Sequence, residues 1–260
     1  AIGLYDIHTY PSKVTVNSGE YSKIIRAYKE EVPLGTPIIM GEIGFKFVEE
    51  EDAALNAENI RRAKAKPYAS VEDSQMFVYD YSYGTDMADA LFQTVNAGYS
   101  GCVVWMLDDA MHSKEAKNKL KVWGFWNILG EEYFGRKEED VRPWYYAWAL
   151  LTKYMPQGAK VFEVNVEGNP NIKAIAVEKD DHRMIAIVNV GDGLNQIKIN
   201  APNFTYGTRW KDYLYADGQL NKKGDHIILP DHENISLEEG RQIQVDLPKE
   251  SLYVLTNFDY

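Results

Sequence analysis

Pro37-Ile38-Ile39-Met40-Gly41-Glu42-Ile43-Gly44-Phe45 is the stretch on which the fold turns. The apolar run from Thr36 to Met40 does not alternate with polar residues, which marks a strand covered on both faces, as in parallel sheets. It runs straight into a carboxylate. A charged group in line with a buried strand costs several kcal/mol unless it is paired, solvated or functional. The flanking glycines permit a tight backbone and close approach of a ligand. The plainer alternative is a loop glutamate whose charge is met by a neighbour such as Lys46.

Working outward, two further strands end the same way. Gly3 to Thr9 leads into Asp6-Ile7-His8-Thr9-Tyr10-Pro11, and Ser100 to Leu107 carries Cys102-Val103-Val104 into Trp105-Met106-Leu107-Asp108-Asp109. His8 and Tyr10 are two apart and share one strand face. Helical patterns separate the strands: Tyr21 to Val32 with Ile24, Ile25 and Tyr28 on one face, Ala53 to Lys66, Asp86 to Ala97 closed by Gly98, and Pro143 to Tyr154. Apolar strands alternating with helices imply parallel βα units, whose functional groups gather at the carboxyl ends of the strands. Taken singly, His8 and Trp105 are more often a satisfied strand end and a core filler; three strand ends agreeing shifts the balance towards a site. The acidic run Glu49 to Asp52 reads as a solvated loop or helix start.

Beyond Pro156-Gln157-Gly158 the texture changes. Short β-rich runs from Lys160 to Thr256 are separated by turn signals such as Gly168-Asn169-Pro170 and Asp217-Gly218. Their spacing predicts an antiparallel sandwich of about seven or eight strands. The expected fold is α/β over residues 1–157 and all-β over 158–260.

Composition excludes several classes. The chain has 260 residues, 45% hydrophobic and 26% charged, the balance of a globular protein. Its apolar runs fall far short of the roughly 18 residues of a membrane helix, so no membrane span is expected. A net charge of −11 repels phosphate backbones, so nucleic acid is not an expected partner. The single cysteine, Cys102, excludes an intramolecular disulfide and a cysteine zinc site. No phosphate loop, GxSxG or HExxH occurs, and the five histidines are scattered. Aromatics are abundant, with 18 Tyr and 6 Trp, the kind of amphipathic ring that grips a flat polar ligand such as a sugar.

These motifs together resemble the carboxyl-terminal part of a clan A retaining glycoside hydrolase, a (β/α)8 barrel followed by a β-sandwich. The segment "YDIHTYP" resembles the end of barrel strand six, "PIIMGEIGF" strand seven with its nucleophile, and "SGCVVWMLDDA" strand eight with its sugar-stacking tryptophan. "RPWYYAWALLTKYMPQGAKVF" through "VDLPKESLYVLT" resembles the last barrel helix and the appended sandwich. The resemblance implies that Glu42 is the nucleophile, that Tyr10 hydrogen-bonds it, that His8 contacts a sugar hydroxyl, that Trp105 lies under the sugar, and that Asp108 or Asp109 binds a hydroxyl. It implies a carbohydrate substrate, no metal, no cofactor, and an extracytoplasmic location.

One departure is large. A full barrel takes roughly 250 residues, and strands one to five have no counterpart before the sandwich. The clan's acid/base glutamate follows an asparagine, and no Asn-Glu dipeptide occurs here; Asp6, Glu20 and Glu49 have no positional claim to that role. The amino-terminal half of the barrel is therefore expected from another polypeptide segment, lost by cleavage or lying upstream of Ala1. Two alternatives stand beside the enzyme: a catalytically dead barrel relative, and a non-catalytic module whose sandwich aromatics (Tyr206, Trp210, Tyr213, Tyr215) bind glycans or whose sandwich braces a barrel. About half of those aromatics are expected in the core.

Overall fold

The computed structural model describes residues 2–109, 119–133, 135–200, 209–237 and 242–259. The chain divides into two compact units, Ala1–Tyr145 and Tyr146–Tyr260.

The first unit is built on three parallel strands in the order β1-β2-β3: β1 Tyr5–Thr9, β2 Ile38–Ile43 and β3 Cys102–Val104. The connections hold helices α1 Lys13–Asn17, α2 Glu20–Glu30, α3 Ala53–Ala65 and α4 Tyr81–Asn96, and the short α5 Gly130–Tyr133 follows β3. Helices cover one face of the sheet. Thr9 Oγ1 meets the Tyr21 hydroxyl at 2.9 Å, and the Tyr99 hydroxyl donates to the Ile25 carbonyl at 3.0 Å.

The face of α2 differs from its sequence reading. Tyr21 and Ile25, four residues apart, are the buried stripe, whereas Ile24 and Tyr28 are 42% and 51% exposed. Periodicity fixes which residues share a side but not which side meets a neighbour. Helix α4 begins five residues earlier than its apolar pattern suggests, and every residue from Tyr83 to Thr94 is buried. A helix buried all round must satisfy its polar groups internally. Asp86 pairs with Lys13 Nζ at 2.7 Å, and Asp89 accepts from Gln93 Nε2 at 2.8 Å. The acidic run does start a helix, but Asp52 is buried rather than solvated, accepting the Lys13 backbone N–H at 2.8 Å.

Helix α6, Trp144–Tyr154, crosses the division between the units. The second unit continues with β4 Lys160–Glu163, β5 Ile172–Lys179, β6 His182–Asn189, β7 Asn195–Ile199, β8 Arg209–Tyr215, β9 Lys222–Lys223, β10 Ile227–Ile228, β11 His232–Ser236, β12 Ile243–Leu247 and β13 Ser251–Thr256. Six of these form an antiparallel sheet in the order β11-β8-β13-β6-β5-β4, and β12-β7 and β10-β9 are separate pairs. One apolar cluster joins Ile187, Trp210 and Leu255 of the large sheet to Ile199 and Leu247 of the β12-β7 pair. Strand β13 is buried at all six positions, as a central strand covered on both faces requires.

Candidate active site

Strand β2 carries one residue more than either neighbour. Tyr5, Asp6 and Ile7 stand opposite Ile38, Ile39 and Met40, but His8 stands opposite Glu42. On the other side Met40 pairs with Cys102 and Ile43 with Val104. Gly41 is thus a β-bulge, an extra residue that re-aims the side chains beyond it. The neighbouring strand bears on this glycine: a Cβ there falls on the Asp6 carboxylate, the end of a side chain that can turn away. At Gly44 a Cβ comes 2.7 Å from the Trp123 ring. The side chains of Asp6 and Trp123 fill the space beside these two glycines.

Two side chains from the end of β1 meet the Glu42 carboxylate that follows the bulge. The Tyr10 hydroxyl donates to Glu42 Oε2 at 2.5 Å, and His8 Nδ1 lies 3.4 Å from the same oxygen. Burial, followed by the hydrogen bond to Glu42 and its charge, pushes the Tyr10 phenol well above its ordinary value, so it remains a donor. His8 Nε2 is 3.5 Å from Asp6 Oδ2, so the imidazole stands between two carboxylates. Glu42 and His8 keep 27% and 48% of their side-chain surface, open enough to meet a ligand. Lys46 is not the partner of Glu42. Its amino group lies 3.6 Å from Asp73 and 5.2 Å from the centre of the Tyr10 ring.

Trp105 follows β3 directly, its backbone N–H donating to the Ile43 carbonyl at 2.8 Å, which sets it beside the Glu42-Ile43-Gly44 backbone. It is partly exposed, and the Trp105–Met106 peptide is cis. The two adjacent aspartates divide their work. Asp108 is half-buried, and its Oδ1 accepts the Ile128 N–H at 2.7 Å; burial raises its carboxyl above the usual range. Asp109 is buried and fully engaged, so it is not available to a sugar hydroxyl. Its Oδ1 accepts the backbone N–H groups of Trp123 and Gly124 at 2.9 and 2.8 Å, and its Oδ2 pairs with Arg142 at 2.5 Å.

Through that clamp Asp109 supports the site from behind. It fixes the turn carrying Trp123, whose indole meets the Tyr10 ring edge-on with centroids 5.5 Å apart and donates from Nε1 to the Asp73 carbonyl at 2.8 Å. No motif singles out Asp6, Trp123 or the Lys46–Asp73 pair. Only Gly41 hints at one of them, because a glycine inside a strand signals a bulge or a close approach. In the second unit Trp210, Tyr213 and Tyr215 are buried, so none presents a ring for stacking; Tyr206 lies outside the described residues. Among the described residues no group of three or more His, Cys, Asp or Glu is arranged to hold a metal, and no helix is long and apolar enough to cross a membrane.

No protein-family model matches the chain, and no curated protein does. Solved structures do. The likeness is to glycoside hydrolases, and it is one of fold. A GH51 α-L-arabinofuranosidase bound to arabinose superposes with a TM-score of 0.62 at 12% identity, covering 98% of this chain and 36% of the other. A GH30 endoxylanase from Clostridium papyrosolvens C71 gives 0.58 at 14% identity, with 98% and 49% covered. A GH39 β-xylosidase from Caulobacter crescentus gives 0.52 at 13%, with 99% and 51% covered. The chain spans about half, or less, of the length of these structures.

Proposed function

We propose that this chain is the nucleophile-bearing, carboxyl-terminal portion of a retaining glycoside hydrolase. Residues 1–157 are read as strands six to eight of a (β/α)8 barrel with their helices, and 158–260 as a β-sandwich appended to it. The observation that carries the reading is the convergence on Glu42 of Tyr10 and His8 from the neighbouring strand end, in a fold resembling glycoside hydrolases.

In this reading Glu42 attacks the anomeric carbon of a bound sugar while a second carboxyl group protonates the departing oxygen. The glycosyl ester on Glu42 is then hydrolysed by a water that gives its proton back to that second group. Retention requires the two carboxyls about 5–5.5 Å apart. Tyr10 orients the Glu42 carboxylate by donating to it, His8 and Asp108 hold sugar hydroxyls, and Trp105 supplies an apolar floor. The acid/base belongs to the remaining half of the barrel, on the same or a separate polypeptide. Surface in the first unit supports that assignment: Val103 on β3 is 54% exposed. A parallel sheet normally has both faces covered. Cleavage of polymeric carbohydrate fits an extracytoplasmic site of action.

The test is Glu42→Gln in the enzyme that includes the complementing half, assayed on aryl glycosides. The expected result is loss of turnover with an unchanged circular dichroism spectrum. Retained turnover overturns the assignment.

A further inference from the structure

Beside the Glu42 site lies a cleft of about 660 Å³, within the range of about 300–1,000 Å³ typical of ligand sites. It is walled by the segment leaving β2, the first turns of α3 and residues 71–75, with Trp123 at its base. Its walls are tied down internally. Gln75 Nε2 donates to the Phe45 carbonyl at 2.8 Å, Asn59 Nδ2 to the Ser74 carbonyl at 2.7 Å, and Trp123 Nε1 to the Asp73 carbonyl at 2.8 Å. Such a cleft is preformed and loses little freedom when a ligand enters.

Two features bear on its occupant. The first is continuity with the candidate active site. Lys46 lines the cleft, and its amino group also lies over the ring of Tyr10, the residue hydrogen-bonded to Glu42. Lys46 thus borders both the cleft and the Tyr10–Glu42 pair. The second is charge. Glu49, Glu50 and Glu72 line it and make no ion pair among the described residues, and Asp73 is shared between Lys46 and Lys121. Those carboxylates accept hydrogen bonds from hydroxyl groups and repel anions.

We propose that this cleft binds an uncharged stretch of glycan continuous with the sugar at Glu42, so that the site selects neutral oligomers over single sugars and over uronate-bearing chains. The inference rests on reading Glu42 as a glycosidase nucleophile. It is tested by calorimetry on this chain carrying Glu42→Gln, titrated with xylo-, cello- and agaro-hexasaccharides, the disaccharide of any that binds, and hexagalacturonate. At least one uncharged hexasaccharide binds. Asn56→Trp, which fills the cleft from an exposed position on α3, weakens it about tenfold or more and leaves the disaccharide unchanged; Ala53→Trp does the same. Hexagalacturonate fails to bind until Glu49→Lys and Glu72→Lys are introduced together. Hexasaccharide binding indifferent to both tryptophan variants overturns this inference alone, as does binding of hexagalacturonate to the chain with its acidic rim intact. If no uncharged hexasaccharide binds, this inference falls, while the glycosidase reading stands or falls separately on turnover by the enzyme that includes the complementing half.

Discussion

Asp109 and Arg142 are 2% and 3% exposed, and their pairing makes a quantitative forecast possible. Burial alone would lower the Arg142 guanidinium, but the charge of Asp109 and the hydrogen bonds to it outweigh that and hold it above its ordinary value. Replacing Arg142 by Met strands a buried carboxylate, which costs about 3–5 kcal/mol. Replacing Asp109 by Leu leaves the guanidinium only the Glu138 carboxylate, 3.9 Å away, at up to a similar cost, and also orphans the N–H groups of Trp123 and Gly124 at about 1–3 kcal/mol each. The double variant keeps the orphaned N–H groups but has no unpaired charge, so its loss is about 2–6 kcal/mol. It should fall short of the sum of the singles by several kcal/mol, about 6 or more if each stranded charge carries its full cost. Urea unfolding followed by near-ultraviolet circular dichroism reads the cycle, because Trp123 and Trp144 both bond to the turn that this pair holds and Phe125 packs on Trp144. Additivity within about 0.5 kcal/mol would refute the argument that one buried ion pair organises this turn.

Two further outcomes can be checked by the same methods. Gly41→Ala puts a methyl group onto the Asp6 carboxylate, whose Cγ is 2.6 Å from the Cβ position. Asp6 must rotate away at about 0.5–1.5 kcal/mol; in an Asp6→Ala background that loss disappears, and an equal loss in both backgrounds contradicts the packing described. Glu138 is mostly buried and accepts from Lys66 Nζ at 2.5 Å and the Tyr79 hydroxyl at 2.8 Å. Burial raises its carboxyl, but the hydrogen bonds from Lys66, Tyr68 and Tyr79 prevail and hold it below its ordinary value of 4.5. The unfolded chain therefore takes up the proton first. The stability this group supplies is present above 4.5 and drains away as the pH falls below it. Glu138→Gln should flatten that acid limb, and an unchanged slope would show that the group is not linked to folding.

The range of each interaction decides how legible it is in the sequence. Strands β2 and β3 can be read because an unbroken apolar run of that length, bounded by turn residues, fits a strand better than a helix, whereas β1, Tyr5-Asp6-Ile7-His8-Thr9, alternates apolar and polar residues. Glu42, His8 and Tyr10 can be read because each sits at a strand end, and the neighbouring strand brings them together. Ile24 and Tyr28 mislead because a helical stripe is the same whether or not something covers it. Asp108 and Asp109 are indistinguishable as a dipeptide, and only the distant Arg142 separates a half-open carboxylate from a sealed one. Trp123 reaches Tyr10 from far along the chain, where no local pattern points to it. The early start of α4 is hidden by Tyr81-Ser82-Tyr83-Gly84, a stretch with weak helical preference that tertiary burial overrides.

The bulge at Gly41 also uncouples two requirements that a regular strand ties together. In an unbroken strand every residue has a fixed parity, and any change that moves one side chain to the opposite face moves them all. Here the phase resets at Gly41: Ile38 and Met40 are buried with a spacing of two, and Ile43 is buried three residues further on. The core-facing half of β2 can drift among apolar residues without turning Glu42 away from Tyr10 and His8. Deleting Gly41, by contrast, would leave Glu42 next to Met40 and still opposite His8 in an even ladder, so what is lost is the local bend and added twist by which a bulge aims a carboxylate at Tyr10.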